Sequence, residues 1–331
     1  MTEQDIRATD SVTLKDIYRA AQKIKTTICR TPLEYSQGLS ALAGTEVRLK
    51  MESLQLTGSF KLRGAANVIA SLNTQQKHAG VIAPTAGNHG LGLAFAGQVA
   101  HIPVTIFLPH SADPMKVSAM KACGAQLSFF ADIEEARQAA IITAQQAGIT
   151  FVSAYDNPQM IAGGGTAGLE IMEDWLEAEV ILVNIGGGGL ISGIATAVKA
   201  INPTVEIWGI QSEASPTFAR WKESGDTVPV ALQPSIAEGV SGYIESGTMT
   251  WPLIRDRVDR VLTVSEAEIK TAMHSMLNFQ RQVVEPSGAL AIAAAVRYGK
   301  MLEGRKTVCV VTGRNISASR YLTLLNEAVG A

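Results

Sequence analysis

Short apolar runs rich in β-branched residues recur along the chain, each bounded by polar or turn-forming residues. They fall at 47–50, 80–83, 104–108, 126–130, 150–152, 180–185, 205–210, 260–264 and 307–311, and their length predicts buried strands. Between them, apolar residues repeat with the helical period at 90–100, 114–123, 132–147, 190–201, 266–279 and 287–302. A further amphipathic helix is predicted over 13–25, behind a Thr13 cap. This alternation predicts an α/β fold with largely parallel sheets covered by helices on both faces.

The alternation is interrupted near 154–165, and this interruption predicts the domain organisation. Residues 80–152 form one compact run of strands and helices, and a second run begins at 180, after the glycine-rich stretch 163–165. We therefore expect two parallel-sheet α/β domains, a small one over 53–154 and a large one built from 1–52 and 155–331. The segment 224–250 is rich in Gly, Ser and Pro and has little periodicity, which predicts a functional or poorly ordered loop.

Composition narrows the class of protein. The 331 residues are 47% hydrophobic and 18% charged, with a net charge of −2 and 5% aromatic residues, which is typical of a globular enzyme. Neither charge nor aromatic content favours a nucleic-acid or membrane partner. Cys29, Cys123 and Cys309 form no Cys-x-x-Cys pair, so a disulfide framework or zinc site is not expected. The polar N-terminus and the absence of a long apolar run predict a cytoplasmic protein without a signal peptide or membrane span.

Four consecutive glycines, Gly186, Gly187, Gly188 and Gly189, lie between the apolar strand VILVNI and the helix LISGIATAVKA. A turn without any Cβ lets backbone N–H groups converge on an anion at the start of a helix, which favours a phosphate site. The alternative is a tight turn without a ligand. The run matches neither the dinucleotide fingerprint Gly-x-Gly-x-x-Gly nor the Walker loop.

The run SFKLRGA at 59–65 places Lys61 among apolar and small residues. An apolar pocket disfavours the charged ammonium form, so such a lysine can act as an amine nucleophile. Taken alone, however, Lys61 beside Arg63 is more often a solvated surface pair.

The run TAGNHG at 85–90 follows the predicted strand 80–83 and opens a helix. Small hydroxyl and amide donors at a helix start suit a carboxylate or a phenolate oxygen, and the alternative is a capped helix with Asn88 in a turn. His89 has no second histidine or acid at ligand spacing. We therefore interpret it as a structural or supporting residue, not as a metal ligand or a catalytic base.

These three runs, followed by EPSGALA at 285–291 and VVTGRN at 310–315, occur in an order that covers nearly the whole chain. In this order they resemble the tryptophan-synthase-like pyridoxal-phosphate enzymes of fold type II, and more narrowly the threonine/serine dehydratase family. The resemblance implies pyridoxal 5′-phosphate as the cofactor, a small amino acid as the substrate, and a homo-oligomer, either a dimer or a tetramer.

The resemblance also implies roles for individual residues. Lys61 corresponds to the lysine that bonds to the cofactor and later moves the α-proton of the substrate. Asn88 corresponds to the partner of the cofactor's ring hydroxyl, and Thr312 to the residue facing the pyridine nitrogen. The implied cofactor-binding set is Lys61, Phe60, Asn88, Gly186, Gly187, Gly188, Gly189, Glu285 and Thr312. The implied substrate-binding set is Thr85, Ala86, Gly87, Asn88 and His89.

The chain departs from the family pattern in several places. Arg314 stands where the family usually has a glycine beside the ring-nitrogen position. Gln211 and Thr217 hold positions where metal-dependent relatives carry carboxylates, so no metal is expected. Racemases of this group have Ser-Ser-Gly-Asn-His in the run at 85–89, and Ala86 replaces the second serine here. The chain ends near Ala331, so we expect no C-terminal regulatory domain and no response to isoleucine.

Taken together, the resemblance implies an ammonia-lyase of amino-acid catabolism that removes water and then ammonia from a small β-hydroxy amino acid such as L-threonine or L-serine and yields a 2-oxo acid. Because the run at 237–243 differs from the Ala-Asp-Gly run of common threonine dehydratases, three other kinds of substrate remain open: an intermediate of hydroxyectoine breakdown, 3-phenylserine and 3-hydroxyaspartate. A serine or amino-acid racemase is a further alternative. The final alternative is a Rossmann protein that binds a nucleotide with the four glycines and an acidic residue such as Glu213.

Overall fold

Ten strands form two sheets in the part of the chain that the computed structural model describes, residues 12–329. The polar N-terminus and the chain end at Ala331, both used in the sequence predictions, lie outside the described residues. The large sheet has the strand order β1-β2-β10-β7-β8-β9, and the small sheet has the order β5-β4-β3-β6. All neighbouring strands are parallel except β1 and β2. The strands are β1 (Leu33–Tyr35), β2 (Val47–Lys50), β3 (Val81–Pro84), β4 (Val104–Pro109), β5 (Gln126–Phe130), β6 (Thr150–Phe151), β7 (Val180–Asn184), β8 (Glu206–Ser212), β9 (Arg260–Val264) and β10 (Thr307–Val310).

Helices connect most of these strands, which is the usual way to join parallel strands. They are α1 (Leu14–Ile24), α2 (Gln37–Ala43), α3 (Lys61–Ser71), α4 (Thr74–Ala79), α5 (Asn88–Ala100), α6 (Pro114–Ala122), α7 (Ile133–Ala147), α8 (Pro158–Asp174), α9 (Gly189–Ile201), α10 (Thr217–Ser224), α11 (Thr250–Arg257), α12 (Glu266–Ser275), α13 (Pro286–Arg297), α14 (Gly299–Leu302) and α15 (Ala318–Val329). Two 3₁₀ turns lie at Glu52–Leu54 and Glu238–Val240, and α12 continues into a π-helical turn at Met276–Gln280. The predicted α/β fold with mainly parallel sheets is confirmed.

The side chains of the large sheet alternate between two apolar cores. Leu182 and Cys309 point into one cluster, whereas Ile181, Val183 and Val308 point into the other. Successive residues of a strand face opposite sides of a sheet, so strands buried on both faces must be apolar throughout. Each fully buried aliphatic side chain contributes about 1.5–3 kcal/mol. This double burial explains why the strands could be located from short continuous apolar runs.

The predicted interruption near 154–165 is wrong, because α8 is a helix of 17 residues whose middle is buried. Its glycines allow close packing rather than breaking the structure. A Cβ at Gly163 would lie 2.4 Å from the carbonyl oxygen of Arg63, and one at Gly165 would lie 2.8 Å from that of Gly193. The glycine-rich stretch therefore marks the contact of α8 with α3 and α9.

The two sheets correspond to the two runs of strands predicted from the sequence. Residues 33–50 and 180–310 supply the large sheet, and residues 81–151 supply the small one. The division into a small domain over 53–154 and a large domain over 1–52 and 155–331 stays a prediction.

A buried network of four charges joins α3 to α8 and to the end of β2. Arg63 donates to both oxygens of Glu52, at 2.7 and 2.8 Å, and to both oxygens of Glu170, each at 2.7 Å. Lys50 donates to Glu170 at 2.5 Å, so two cations face two anions. Removing one member of such a buried set leaves an uncompensated charge, at a cost of about 3–5 kcal/mol. Because Arg63 is fully buried, it is not the surface neighbour of Lys61 that base rates suggest.

Candidate active site

Three turns that follow strand ends carry most of the candidate residues. The turn at 85–87 follows β3, the turn at 186–189 follows β7, and the segment 312–315 follows β10. In open parallel sheets the carboxyl ends of the strands are the usual place for a ligand. Lys61, at the start of α3, is the fourth component.

Lys61 lies in a confined position at the beginning of α3. Its Nζ donates a hydrogen bond of 2.8 Å to the carbonyl oxygen of Ala154 and lies 5.1 Å from the centroid of the Phe60 ring. Phe60 is held in turn by a backbone hydrogen bond of 3.1 Å to the carbonyl oxygen of Thr312. Burial lowers the pKa of Lys61 to about 8. The uncharged amine, which is the form that attacks carbonyl groups, is therefore far more populated near neutral pH than in an exposed lysine.

The glycine turn is enclosed by neighbouring backbone and side chains. A Cβ at Gly187 would lie 2.1 Å from Cγ of Tyr155, and a Cβ at Gly186 would lie 3.0 Å from Cα of Val240. Gly188 has φ +87°, a conformation that favours glycine, and α9 starts directly after it with 13 residues. Free N–H groups at the start of a helix of this length suit an anion. The glycines are thus required by the protein that surrounds the turn as well as by any ligand inside it.

The turn at 85–87 forms the start of α5, and Gly87 is the residue preceding the helix. The N–H of Gly87 donates to the Thr85 hydroxyl at 3.1 Å. A Cβ at Gly87 would meet nothing within 4 Å, so the turn has open space beside it. This helix has 13 residues, and its N-terminal N–H groups again suit an anion.

His89 is buried in the first turn of α5, where its Nε2 lies 3.1 Å from the carbonyl oxygen of Val152. A carbonyl oxygen can only accept, so Nε2 carries the proton. Burial and the nearby Lys61 lower the pKa of His89 to about 3, and the ring is neutral at physiological pH. These contacts agree with the interpretation of His89 as a supporting residue.

Asn88, the first residue of α5, is hydrogen-bonded to Glu285, which directly precedes α13. Asn88 Nδ2 donates to Glu285 Oε1 at 2.6 Å, and Lys116 Nζ lies 3.8 Å from Glu285 Oε2. Burial raises the pKa of Glu285 to about 7. The positive charge of Lys116 and the hydrogen bond from Asn88 lower this pKa, and the negative charge of Glu238 raises it, but burial has the largest effect. Near neutral pH this carboxyl group can hold or release a proton.

Thr312 lies in a neutral, hydrogen-bonded environment after β10. Its hydroxyl donates to the carbonyl oxygen of Ser287 at 3.1 Å and accepts from Asn184 Nδ2 at 3.2 Å. Arg314, the departure from the family pattern, is exposed, and its backbone N–H donates to the Gly58 carbonyl at 2.9 Å. The bulky cation therefore leaves the contacts of Thr312 intact.

The residues fit a cofactor that carries an aldehyde, a phosphate and a polar ring. A confined amine, an anion-binding turn and a neutral hydroxyl lie in the same region. In addition, Ser59 Oγ, His89 Nδ1 and Asn184 Oδ1 are buried without a hydrogen-bond partner among the described residues. Buried polar atoms are normally paired, so such atoms indicate unused binding capacity.

Among residues 12–329, no group of three or more His, Cys, Asp and Glu side chains could hold a metal ion. Gln211, which stands at a metal-ligand position of other relatives, accepts a hydrogen bond of 3.0 Å from the N–H of Ala219. Over the same range, every helix is too short or too polar to cross a membrane.

A family model described as pyridoxal-phosphate dependent enzyme matches residues 24–313. The chain belongs to this family. Its cofactor is pyridoxal 5′-phosphate, as predicted.

Individual relatives narrow the comparison. An L-threonine ammonia-lyase of Thermotoga maritima is 39% identical over 96% of this chain and 79% of its own length. An L-threo-3-hydroxyaspartate ammonia-lyase of a Pseudomonas species is 36% identical over 94% of this chain and 97% of its own length. The structure of maize serine racemase superposes with a TM-score of 0.90 at 31% identity, covering 97% of this chain and 98% of that one. These likenesses confirm the predicted family and fold type II.

Several neighbours of the site were missed by the sequence analysis. Ala154 and Tyr155 follow β6 and contact Lys61 and the glycine turn, and Asn315 contacts Asn88. The run AYDNP at 154–158 has no recognisable ligand pattern, and Asn315 could have been found only as the last residue of VVTGRN. Lys116 carried no signal, because a lysine in an exposed helix is usually a surface residue.

Proposed function

We propose that the protein removes water and then ammonia from a small β-hydroxy amino acid such as L-threonine or L-serine and yields a 2-oxo acid. The observation that carries this proposal is the Lys61 amine, whose pKa is lowered to about 8 and whose Nζ donates to Ala154 in the same region as the glycine turn. The likeness to an L-threonine ammonia-lyase over 96% of the chain supports the substrate class.

When bound, pyridoxal phosphate supplies an electron sink for the α-carbon of the substrate. We assign its phosphate to the turn at 186–189 and its ring hydroxyl to Asn88. Phe60 would pack near the ring, because it precedes Lys61 and lies against its amine. Thr312 would face the ring nitrogen as a neutral partner. A neutral partner stabilises negative charge in the ring less than a carboxylate would, which suits rapid loss of the β-hydroxyl.

We assign the movement of the α-proton to Lys61. A base works best when its pKa lies near the working pH, and the lowered pKa of Lys61 meets that condition. Glu285, with its pKa raised to about 7, lies beside the assigned ring-hydroxyl partner Asn88 and can keep a proton there.

The substrate carboxylate is assigned to the turn at 85–87 and the first residues of α5. Backbone N–H groups at a helix start bind carboxylates well, and the open space beside Gly87 leaves room for one. Thr85 adds a hydroxyl, while His89 fixes the helix start through Val152.

The decisive experiment is an assay of ammonia and 2-oxo acid over a panel of substrates with the yellow holoenzyme. The panel contains L-threonine, L-serine, L-threo-3-hydroxyaspartate and 3-phenylserine. We expect L-threonine or L-serine to give the highest kcat/KM. A preference for L-threo-3-hydroxyaspartate would favour the second candidate, which the 36% identity to the Pseudomonas enzyme supports. Absence of ammonia from every member would refute the proposal. Cytoplasmic location and assembly as a homodimer or homotetramer remain proposals from the sequence.

A further inference from the structure

Three side chains from distant parts of the chain meet beside the glycine turn. The Tyr155 hydroxyl donates to one carboxylate oxygen of Glu245, and the Arg137 guanidinium pairs with the other. Arg137 lies on α7, which packs on the small sheet, whereas Glu245 lies in the segment 224–250. The side chains of Arg137 and Glu245 are 39% and 33% exposed, so the pair is partly shielded from water. The contact therefore joins the helix α7, which packs on the small sheet, to the segment 224–250, which lies between two strands of the large sheet.

The Tyr155 ring forms a wall of the glycine turn. It lies so close to Gly187 that a Cβ there would be 2.1 Å from the ring carbon Cγ. The backbone of Tyr155 also lies close to Gly189, where a Cβ would be 3.1 Å from Cα of Tyr155. The preceding residue, Ala154, accepts the hydrogen bond from Lys61. One short stretch thus contacts both the proposed phosphate site and the proposed catalytic amine.

The loop that carries Glu245 is attached to the same turn at a second point. Thr250 donates from its hydroxyl to the carbonyl oxygen of Gly187 at 2.9 Å. Asp156 accepts from the Thr248 hydroxyl at 3.0 Å and from the Met249 N–H at 2.8 Å. Glu245 is therefore held near Tyr155 by the following residues of its own loop.

The charges of the three side chains suit this contact. Burial and the bond to Glu245 raise the pKa of Tyr155, so the phenol stays a neutral donor at physiological pH. Arg137 balances the negative charge of Glu245, which would otherwise stand unpaired close to the proposed phosphate site.

We propose that Arg137, Glu245 and Tyr155 form a clasp that retains the cofactor by holding the Tyr155 ring against the glycine turn. The three are positioning residues, and the inference rests on the proposed placement of the phosphate at 186–189. Loss of the clasp frees the ring to rotate away, which opens the turn and speeds release of the cofactor. It does not remove any group assigned to the chemistry.

The test is the rate at which holoenzyme loses its cofactor. Excess phosphatase destroys released pyridoxal phosphate, and the protein-bound absorbance is followed with time. We expect about tenfold faster release from Glu245→Gln, which replaces the charged acceptor of the phenol by a weaker neutral amide, and from Tyr155→Phe, which removes the donor. The double variant should release the cofactor no faster than either single variant, because the effects of substitutions within one network are not additive. Arg137→Gln should give a smaller increase, of about threefold, since the bond to the phenol remains.

Two further variants separate the possible failures. Glu223→Gln removes one partner of the exposed pair with Arg220 and should release cofactor at the wild-type rate. Gly188→Asp tests the phosphate placement itself. If Gly188→Asp retains cofactor as well as wild type, the placement is wrong and the clasp falls with it. If Gly188→Asp loses cofactor while Glu245→Gln and Tyr155→Phe behave as wild type, or if their effects multiply independently, only the clasp is overturned. Should Glu245→Gln fail to fold, as judged by thermal unfolding, Tyr155→Phe decides alone.

Discussion

Asn315 Nδ2 lies 2.7 Å from Asn88 Oδ1 and donates a hydrogen bond to it. This contact fixes the orientation of the Asn88 amide, because a donor on one side directs the oxygen towards it and turns the NH₂ group towards Glu285. A second bond, of 2.8 Å from the same Nδ2 to the Thr57 carbonyl oxygen, holds Asn315 in place. The last residue of the VVTGRN run is thus connected to the proposed partner of the ring hydroxyl.

Replacing this donor by an acceptor tests the connection. In Asn315→Asp a carboxylate faces Asn88 Oδ1. The Asn88 amide must then either keep its oxygen against another acceptor or rotate and lose its bond to Glu285. We expect kcat to fall by about tenfold and the absorbance of the bound cofactor to shift, with a smaller change in KM. The exposed Asn278, whose side chain hydrogen-bonds to His274, provides the matched control Asn278→Asp. Wild-type spectra and rates in Asn315→Asp would refute the positioning role.

Lys61 should be the lysine that carries the cofactor. We expect Lys61→Ala to abolish turnover and to remove the yellow absorbance of the holoenzyme. Borohydride reduction of wild-type holoenzyme followed by peptide mapping should locate the label on Lys61. Lys270→Ala, which removes an exposed partner of Glu327, should stay yellow and active. Label found on another lysine would contradict the assignment.

Glu285 should make the stability of the cofactor-free protein depend on pH. Its pKa is raised from 4.5 to about 7 in the folded protein, so the folded state binds this proton more tightly than the unfolded state. The stability associated with the protonated group is complete below pH 4.5 and is lost as the pH rises through 7, by about 3 kcal/mol. We therefore expect Glu285→Gln to unfold at a higher temperature than wild type at pH 8 and at a similar temperature at pH 5.

Thermal unfolding at both pH values provides the measurement, with the exposed Glu223→Gln as the control. An equal shift at pH 5 and pH 8 would mean that the carboxyl group titrates normally and that another property of the substitution is responsible.

We expect Ala86 to be the residue that keeps racemisation slower than elimination. Racemisation needs a proton donor on the face of the substrate opposite Lys61, and Ala86 has no proton to give, unlike the second serine of the racemase run. Starting from L-serine or L-threonine, we expect 2-oxo acid and ammonia with little D-amino acid. Ala86→Ser should add measurable racemisation, detected by chiral chromatography.

Thr85→Ser is the matched control, because it keeps a hydroxyl at the neighbouring position and adds none at position 86. D-amino acid formed by the wild-type enzyme as fast as 2-oxo acid would favour the racemase alternative instead.

From the sequence, the strands were predicted more accurately than helices whose apolar residues do not form a stripe along one face. The strands at 47–50, 126–130 and 260–264 agree with the structure residue for residue, although β5 and β9 are only partly buried. The helix α8 was missed because its glycines suggested a break. Their packing partners lie 100 residues away in α3 for Gly163 and 28 away in α9 for Gly165, so their purpose is visible only in three dimensions.

The site was predicted where chemistry is encoded in short runs and missed where it depends on distant contacts. Lys61, the glycine turn and Asn88 each belong to a recognisable run. Glu245 lies 90 residues from Tyr155 and 108 from Arg137, and no local pattern connects them. Arg63 was misjudged for the same reason, since its buried partner Glu170 lies 107 residues further along the chain.

The order of the strands has a consequence for synthesis on the ribosome. In the large sheet, β2 pairs with β10. Val47 therefore cannot pair with Thr307 until about 260 further residues have been synthesised. At translation rates of about 5–20 residues per second, this wait lasts roughly 10–50 seconds. The four strands of the small sheet lie within 81–151 and can pair while translation continues. During that interval β1 can already pair with one edge of β2, but the edge that later pairs with β10 stays open. An open strand edge is a target for chaperones and a site where nascent chains can associate with one another.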